Sequence, residues 1–247
     1  MNTSEKLTAI AEKLPQVHES GYNKGHSEGV TAGKKAEYDR FWDAYQDFGE
    51  RTHYVNAFGS MWDAEIFQPK YDIRPKGSGY MMFHNNVAHY IVIDDFVEFC
   101  EKRGIVFDLS QCTDLMYGLG TLRTKRHGIL DFSSCRSALY LFYSNRTVET
   151  IEEMVFAETT NFSSNTTFAD ATKLANINKV SGILAKSIHF QNSPLTKNSI
   201  TNIVNVLSPT VTGETVTFNK AAKEAAFTAD EWATLIATKS NWTFSLV

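Results

Sequence analysis

The side chains able to do chemistry are few, and the most suggestive of them come in duplicate. Asp108-Leu-Ser-Gln-Cys112 and Asp131-Phe-Ser-Ser-Cys135 each bring a carboxylate, a hydroxyl and a thiol within five positions, and the two copies lie 23 positions apart. Two carboxylates could share general acid and base work. Repetition favours a plainer role. At equivalent positions of a repeat, Asp108 and Asp131 read as turn residues whose side chains accept backbone amides. Cys112 and Cys135 then read as small side chains in an inward ladder, since free Cys is among the most buried residue types. The three cysteines are an odd number and include no Cys-x-x-Cys pair, against both a disulfide framework and a zinc site. His84, His89 and Cys100 are the remaining metal-ligating types in one neighbourhood, without ligand spacing. No nucleophile elbow, phosphate loop or His-Glu-x-x-His motif occurs. The sequence therefore assigns no catalytic, cofactor-binding or metal-binding residue, and the protein is expected not to be an enzyme. Asn145-Arg-Thr, Asn161-Phe-Ser, Asn165-Thr-Thr and Asn241-Trp-Thr fit the glycosylation pattern, which carries little meaning without a secretory signal.

A spacing of 23 positions is the period of leucine-rich repeats, in which each unit supplies a short strand and a helix or turn. One unit cannot bury its own apolar face and must stack on a neighbour. Later segments keep the rhythm loosely. Phe168 to Ile177 reads as a turn carrying Leu174 and Ile177 inward, while Ser187–Phe190 and Thr215–Phe218 alternate polar and apolar as half-buried strands do. Thr196 to Leu207 places Ile200, Ile203, Val204 and Leu207 at helical spacing before Pro209. Thr228-Ala-Asp-Glu231 is a capping box that opens a helix bearing Trp232, Leu235 and Ile236. Asn241–Leu246 alternates again and reads as a last strand. The expectation is a curved stack over 105–247 in which Ile105, Ile129, Ile188 and Val216 face one core.

Upstream, Gly21, Gly25, Gly29 and Gly33 recur every four residues, taking four of the chain's 14 glycines. Such a row follows one side of a helix, where it lets another backbone approach closely. The same row could be a flexible linker, because each helical glycine costs roughly 1 kcal/mol relative to Ala. The strict interval and the intervening Lys24, Glu28, Ala32 and Lys34 favour the helix. Tyr38, Phe41, Trp42, Tyr45 and Phe48 continue it as an aromatic stripe. Tyr54, Phe58, Trp62, Phe67 and Tyr71 then crowd an irregular stretch interrupted by Pro69 and Pro75. These rings could cage a sugar, but they read better as a compact cap sealing the open apolar end of the stack. Asp94–Gly104 has an acidic start, a basic last turn and a glycine stop, so it reads as a helix delivering the chain to Ile105 as the first repeat strand.

The drifting strand–loop–helix units, the Asp-x-Ser-x-Cys turn and the closing Lys239-Ser-Asn-Trp-Thr-Phe resemble BspA-type leucine-rich repeats. The run from Gly21 to Asp43 resembles the start of repeat proteins carried by phages and prophages of gut Firmicutes, often labelled tail or minor structural proteins. Glycine rows of this kind also resemble those of flagellar type III ATPase regulators. The resemblance implies a tail-associated virion protein made in a bacterial cytoplasm and brings no catalytic residues with it.

Bulk properties are compatible with that. Hydrophobic residues make up 43% of the chain, enough for a buried core, and the formal charge is −4 with an isoelectric point near 6.0. Neither nucleic acid nor an anionic membrane is an expected partner, and no apolar run reaches the roughly 20 residues that span a bilayer. Met1-Asn-Thr-Ser-Glu-Lys6 lacks the basic start and apolar core of a signal peptide.

The expected organisation is an α/β chain in three parts. Residues 1–50 form a long glycine-repeat helix for assembly or attachment, 51–104 a small aromatic-rich cap, and 105–247 a leucine-rich-repeat-like solenoid. Gly21, Gly25, Gly29, Gly33, Tyr38, Phe41, Trp42 and Tyr45 are the expected oligomerisation and attachment residues. The expected partners are other copies of the chain and phage tail proteins, with a host cell-surface protein or glycan as a further candidate. Two alternatives are a bacterial repeat protein for adhesion or protein docking, and an accessory of a cell-wall polysaccharide-degrading enzyme.

Overall fold

The structure is a computed structural model of the 247-residue chain. It describes residues 72–83, 90–143, 145–162 and 166–247, together with Pro69 and the positions Gly25, Glu28, Gly29, Ala32, Gly33 and Ala36. The chain divides into two compact units, Met1–Phe48 and Gly49–Val247. In the first, the described positions are helical and exposed.

The second unit mixes helices with parallel strands. Among the described residues its elements run β1 (Ile91–Val92), α1 (Phe96–Arg103), β2 (Leu122–Arg123), β3 (Arg126–Asp131), β4 (Thr150–Phe156), β5 (Asn176–Gly182), β6 (Ile188–Phe190), α2 (Lys197–Asn205), β7 (Thr215–Phe218), α3 (Lys220–Ala226), α4 (Ala229–Ala237) and β8 (Thr243–Leu246). They form three parallel sheets, β1-β2, β3-β4-β5 and β6-β7-β8, each laid down in chain order. Isolated parallel bridges fill the loops between strands: Ser78 to Asp114, Asp114 to Ser137, Ser137 to Asn161, and Leu184 to Leu207.

The pairing begins earlier than Ile105. Ile73 bridges Phe107, Ile91 pairs with Leu122, and Asp95 bridges Arg126, so parallel pairing already involves residues 72–83 and 90–104. Ile105 itself starts no strand; among the described residues the ladder contact nearby is the single bridge at Phe107. The helix expected before it is present as α1. Asp95 Oδ1 accepts the Glu98 N–H at 2.9 Å, and Gly104 closes the last turn at φ 64°, a left-handed conformation that glycine adopts without a Cβ clash.

The core is a set of columns running through the coils. His127, Ile151 and Ile177 stand in register and are fully buried, as are Leu130 and its partner Met154. Rings form a second column, with centroids 5.5 Å apart for Phe142–Phe168, 4.6 Å for Phe168–Phe190, 6.3 Å for Phe190–Phe218 and 6.0 Å for Phe218–Trp232. Each buried ring contributes roughly 1.5–3 kcal/mol by leaving water, and each pair about 0.5–1.5 kcal/mol more. This column carries the core from the turns before β4 to the last helix, so 105–150 and 183–247 share one apolar interior.

One expected core residue is not in it. Ile129 is 50% exposed, as is its counterpart in the preceding coil, Val106, at 44%; Leu130 is the residue turned inward. The cause is a corner in the strands. Pairing skips Gly128, Glu152 and Asn178, so buried positions sit three apart, at 127 and 130 and at 151 and 154, instead of two. Ile105, Ile188 and Val216 are buried as expected.

α2, which lies between β6 and β7 in the chain, packs against β5, the last strand of the second sheet. Thr196 caps it, and Ile200, Ile203 and Val204 enter the core. Ser199 Oγ accepts the Ile177 N–H at 2.8 Å and donates to the Ala175 carbonyl at 3.1 Å. Asn202 Nδ2 donates to the carbonyl of Asn178 at 3.2 Å. A polar helix face thus satisfies the edge of β5 where the next strand would otherwise lie. The Thr228–Glu231 capping box opens α4.

Candidate interaction surface

The duplicated motif is built as turns. Asp108 Oδ1 accepts the Ser110 N–H at 2.9 Å, and Asp131 Oδ1 accepts that of Ser133 at 2.8 Å. Cys112 Sγ donates to the Asp114 carbonyl at 3.4 Å and Cys135 Sγ to that of Ser137 at 3.1 Å. Ser133 Oγ donates to the Ser110 carbonyl one coil below, at 3.3 Å. Burial pushes the Cys100, Cys112 and Cys135 thiols up to about 12, so at neutral pH they stay protonated and unreactive. All three are free and buried. Among the described residues no three His, Cys, Asp or Glu side chains gather as metal ligands; His84 and His89 lie outside them.

Two of the Asn-x-Thr asparagines are structural. Asn145 Nδ2 is buried and donates to the carbonyls of Leu119 at 3.2 Å and Leu122 at 2.6 Å. Asn241 Nδ2 donates to the carbonyls of Ser208 and Val211 at 3.0 and 2.6 Å. His127 is the one buried side chain with both ring nitrogens lacking a protein partner among the described residues. It sits between the rings of Phe96 and Phe142, at 5.9 and 5.7 Å, and burial pushes its pKa down to about 3. That position is sealed by apolar walls and offers no path to a substrate.

The repeat continues past its cysteine, a feature not read from the sequence. Leu115-Met-Tyr-Gly-Leu119 lies over Gly79-Tyr-Met-Met-Phe83 and under Ala138-Leu-Tyr-Leu-Phe142, coil on coil. Gly79, Met81 and Phe83 donate their N–H groups to Asp114, Met116 and Gly118 at 2.6, 2.9 and 2.9 Å. Leu115, Tyr117 and Leu119 donate theirs to Ser137, Leu139 and Leu141 at 2.8, 3.0 and 3.0 Å. In each coil the middle residue is left-handed, with φ 52° at Met81, 56° at Tyr117 and 54° at Tyr140. Bonds from the Met82 N–H to the Gly79 carbonyl and from the Gly118 N–H to the Leu115 carbonyl close four-residue turns. Met81 and Tyr117 occupy the third place, where glycine or asparagine is favoured. A bulky side chain there costs about 1–2 kcal/mol, and such strain clusters at functional sites.

These turns set a tyrosine strip on the surface. Tyr117 and Tyr140 stack at 4.7 Å and 6° between planes. Tyr143 stands across both at 5.5 and 6.2 Å, near perpendicular, and is 44% exposed. Tyr80 lies close enough that, with Tyr140 and Tyr143, it adds to burial in raising the Tyr117 hydroxyl above its ordinary range.

The expected attachment residues fall elsewhere. Gly25, Gly29 and Gly33 are helical and exposed, and a Cβ built on any of them meets nothing within 4 Å. Gly21, Tyr38, Phe41, Trp42 and Tyr45 lie outside the described residues, as do Tyr54, Phe58, Trp62, Phe67 and Tyr71 of the expected cap. None of the described helices is long and apolar enough to cross a membrane. Compared with protein-family models, curated proteins and solved structures, the chain matches none.

Proposed function

We propose that this chain is a non-enzymatic binding and structural protein, in which a leucine-rich-repeat-like solenoid is displayed by an N-terminal assembly helix. The observation that carries the reading is the parallel pairing of successive coils in chain order, from Ile73 to Leu246. A stack of this kind grows an extended lateral surface without needing a pocket, which suits recognition of a large partner. The polar groups that looked chemically capable are occupied in holding turns, with Asp108, Asp131, Asn145 and both repeat cysteines bonded to backbone. The setting we propose is the tail of a bacteriophage or prophage, with copies of the chain and other tail proteins as partners. Support for the setting comes from the resemblance of the glycine-rich start and of the repeats. Immunoblotting of density-purified particles from an induced lysogen with an antibody to this chain tests it. The chain is expected in the particle fraction at a fixed ratio to the major tail protein; recovery only in the soluble host fraction overturns the virion setting.

A further inference from the structure

We propose that α1 is an acid-released flap: protonation of His127 frees it from the edge of β3 and bares Cys100. Such a flap operates whatever partner the chain binds. Three features of the fold converge on it. First, α1 stands where a strand would. Asp95 bridges Arg126 as a neighbouring strand does, but the chain then coils, so Phe96 sits against His127 with ring centroids 5.9 Å apart. A Cβ built on Gly128 would meet Val97 Cγ2 at 3.6 Å. β3 is the first strand of its sheet among the described residues, and α1 covers that edge. Second, the fastening is light and can pivot. Of the eight residues of α1 only Phe96 and Cys100 are buried. Phe96 is the anchor, edge-on to Phe83 and Phe107 at 6.4 and 5.1 Å. Polar bonds tie the start: the Phe96 N–H donates to Thr124 Oγ1 at 3.2 Å, and Arg126 Nη1 donates to Asp95 Oδ2 at 3.0 Å. The far end is Gly104, left-handed at φ 64°, where a Cβ meets nothing within 4 Å among the described residues. Third, a titratable group lies directly against the anchor. Both nitrogens of His127 lack a hydrogen-bond partner, and its ring is enclosed by Phe96, Phe142 and the paired Ile151. An imidazolium there would be a buried charge with no acceptor in hydrogen-bond reach. α1 and its cap carry Asp95, Glu98, Glu101, Lys102 and Arg103 at half-buried or exposed positions, and Cys100 as a buried thiol. β3 and β4 carry Arg126, Asp131, Glu152 and Glu153, half-buried, and the turn around Phe142 carries Tyr140 and Tyr143. None of these bonds the imidazole. Protonation therefore requires His127 to meet water. Lifting α1 is the step that breaks least, because the walls at Phe142 and Ile151 belong to the paired coils.

Thiol labelling of the full chain tests this, because the three cysteines divide between the flap, which holds Cys100, and the repeat turns, which hold Cys112 and Cys135. The probe is 4,4′-dithiodipyridine, a disulfide that stays reactive toward thiols in acid, and peptide mass mapping assigns the labelled sites. Rates are taken relative to glutathione at the same pH. Burial pushes the His127 pKa from 6.5 down to about 3 in the closed fold. The open fraction, and with it the Cys100 rate, should therefore rise about fiftyfold between roughly pH 6.5 and 4.5. Asp95 and Glu152, both held below the usual carboxylate range, add little to the slope in that window. Cys112 and Cys135 should label at least about tenfold more slowly than Cys100 throughout. His127→Leu and His127→Gln, neither of which can gain a proton, should each keep the Cys100 rise within about threefold. Circular dichroism checks that both variants fold, and Gln retains a polar side chain should Leu disturb the packing. Equal labelling of all three cysteines would mean that the chain opens as a whole. That result, a Cys100 rate that does not rise on acidification, or the parent's rise in the folded variants overturns the flap.

Discussion

His127 shows how much a single interior position can impose on the whole. Its ring replaces an aliphatic side chain in the column shared with Ile151 and Ile177, and its nitrogens have no protein partner. Leaving a buried polar group unpaired costs about 1–3 kcal/mol. The pKa falls from 6.5 in the open chain to about 3 in the fold, so the unfolded state binds the extra proton between those values. Stability from this residue is therefore complete above about pH 6.5 and declines as the pH drops, by up to ~1.4 kcal/mol per pH unit. His189, also lowered by burial, acts with the same sign. The carboxylates held low, such as Asp95 and Glu152, lose their contribution only on further acidification. Urea midpoints measured from pH 7 down to about pH 4.5 should fall steeply for the parent and much less for His127→Leu, and a parallel fall in both would refute the account. Exposure decides the contrast between two other residues. Leu174→Ala should cost roughly 2–5 kcal/mol because Leu174 is fully buried, whereas Ile129→Ser, at a half-exposed position, should stay within about 0.5 kcal/mol. Equal losses in chemical denaturation would mean that the inward and outward sides are wrongly assigned.

At the scale of elements, what the sequence revealed depended on whether an element kept one period. The glycine stop at Gly104 and the Thr228–Glu231 capping box are legible because each is a local grammar, and both lie where the side-chain chemistry places them; the Asp95 and Thr196 caps are findings of the structure. β6, β7 and β8 alternate polar and apolar residues in the sequence, which reads as strand. β4 and β5, the longest strands among the described residues, are not legible in the sequence. Their skipped positions, Glu152 and Asn178, break the alternation and leave Glu152-Glu153 looking like a solvated turn. In the fold Arg126 pairs with Glu152 and Lys179 with Glu153 across neighbouring strands. α3 was missed for another reason: it has no buried residue, so no apolar stripe announces it. The tyrosine strip escaped because its signal is backbone strain, which residue types alone do not display. The junction at α2 yields a prediction of its own. Ser199 is buried and holds the Ile177 N–H and the Ala175 carbonyl, so Ser199→Ala should destabilise by about 1–3 kcal/mol. Amide exchange at Ile177 should accelerate selectively if the hydroxyl is what terminates the sheet. Unchanged protection there would place that role elsewhere.

Across the whole molecule, the two compact units pose opposite energetic problems. The second unit explains itself: its parallel coils bury one another's faces, and a ring column joins the first turns to the last helix. The first does not, where Gly25, Gly29 and Gly33 are concerned. Each is helical and should cost about 1 kcal/mol relative to Ala. Among the described residues nothing recovers that loss, since a Cβ built on any of the three meets nothing within 4 Å. Among the described residues, then, the missing side chains make room for no close contact. A second copy, or a tail scaffold, laid against that side would give them one, because glycine lets two backbones come close enough for dense packing and weak Cα–H···O contacts. Replacing Gly25 and Gly29 together by Leu separates the two possibilities, since it raises intrinsic helicity while filling the space a partner would use. The parent is expected to self-associate by light scattering and the double variant to remain monomeric despite stronger helical circular dichroism. If the variant associates as the parent does at matched concentration, the glycines are a linker and the assembly helix is lost from the proposal.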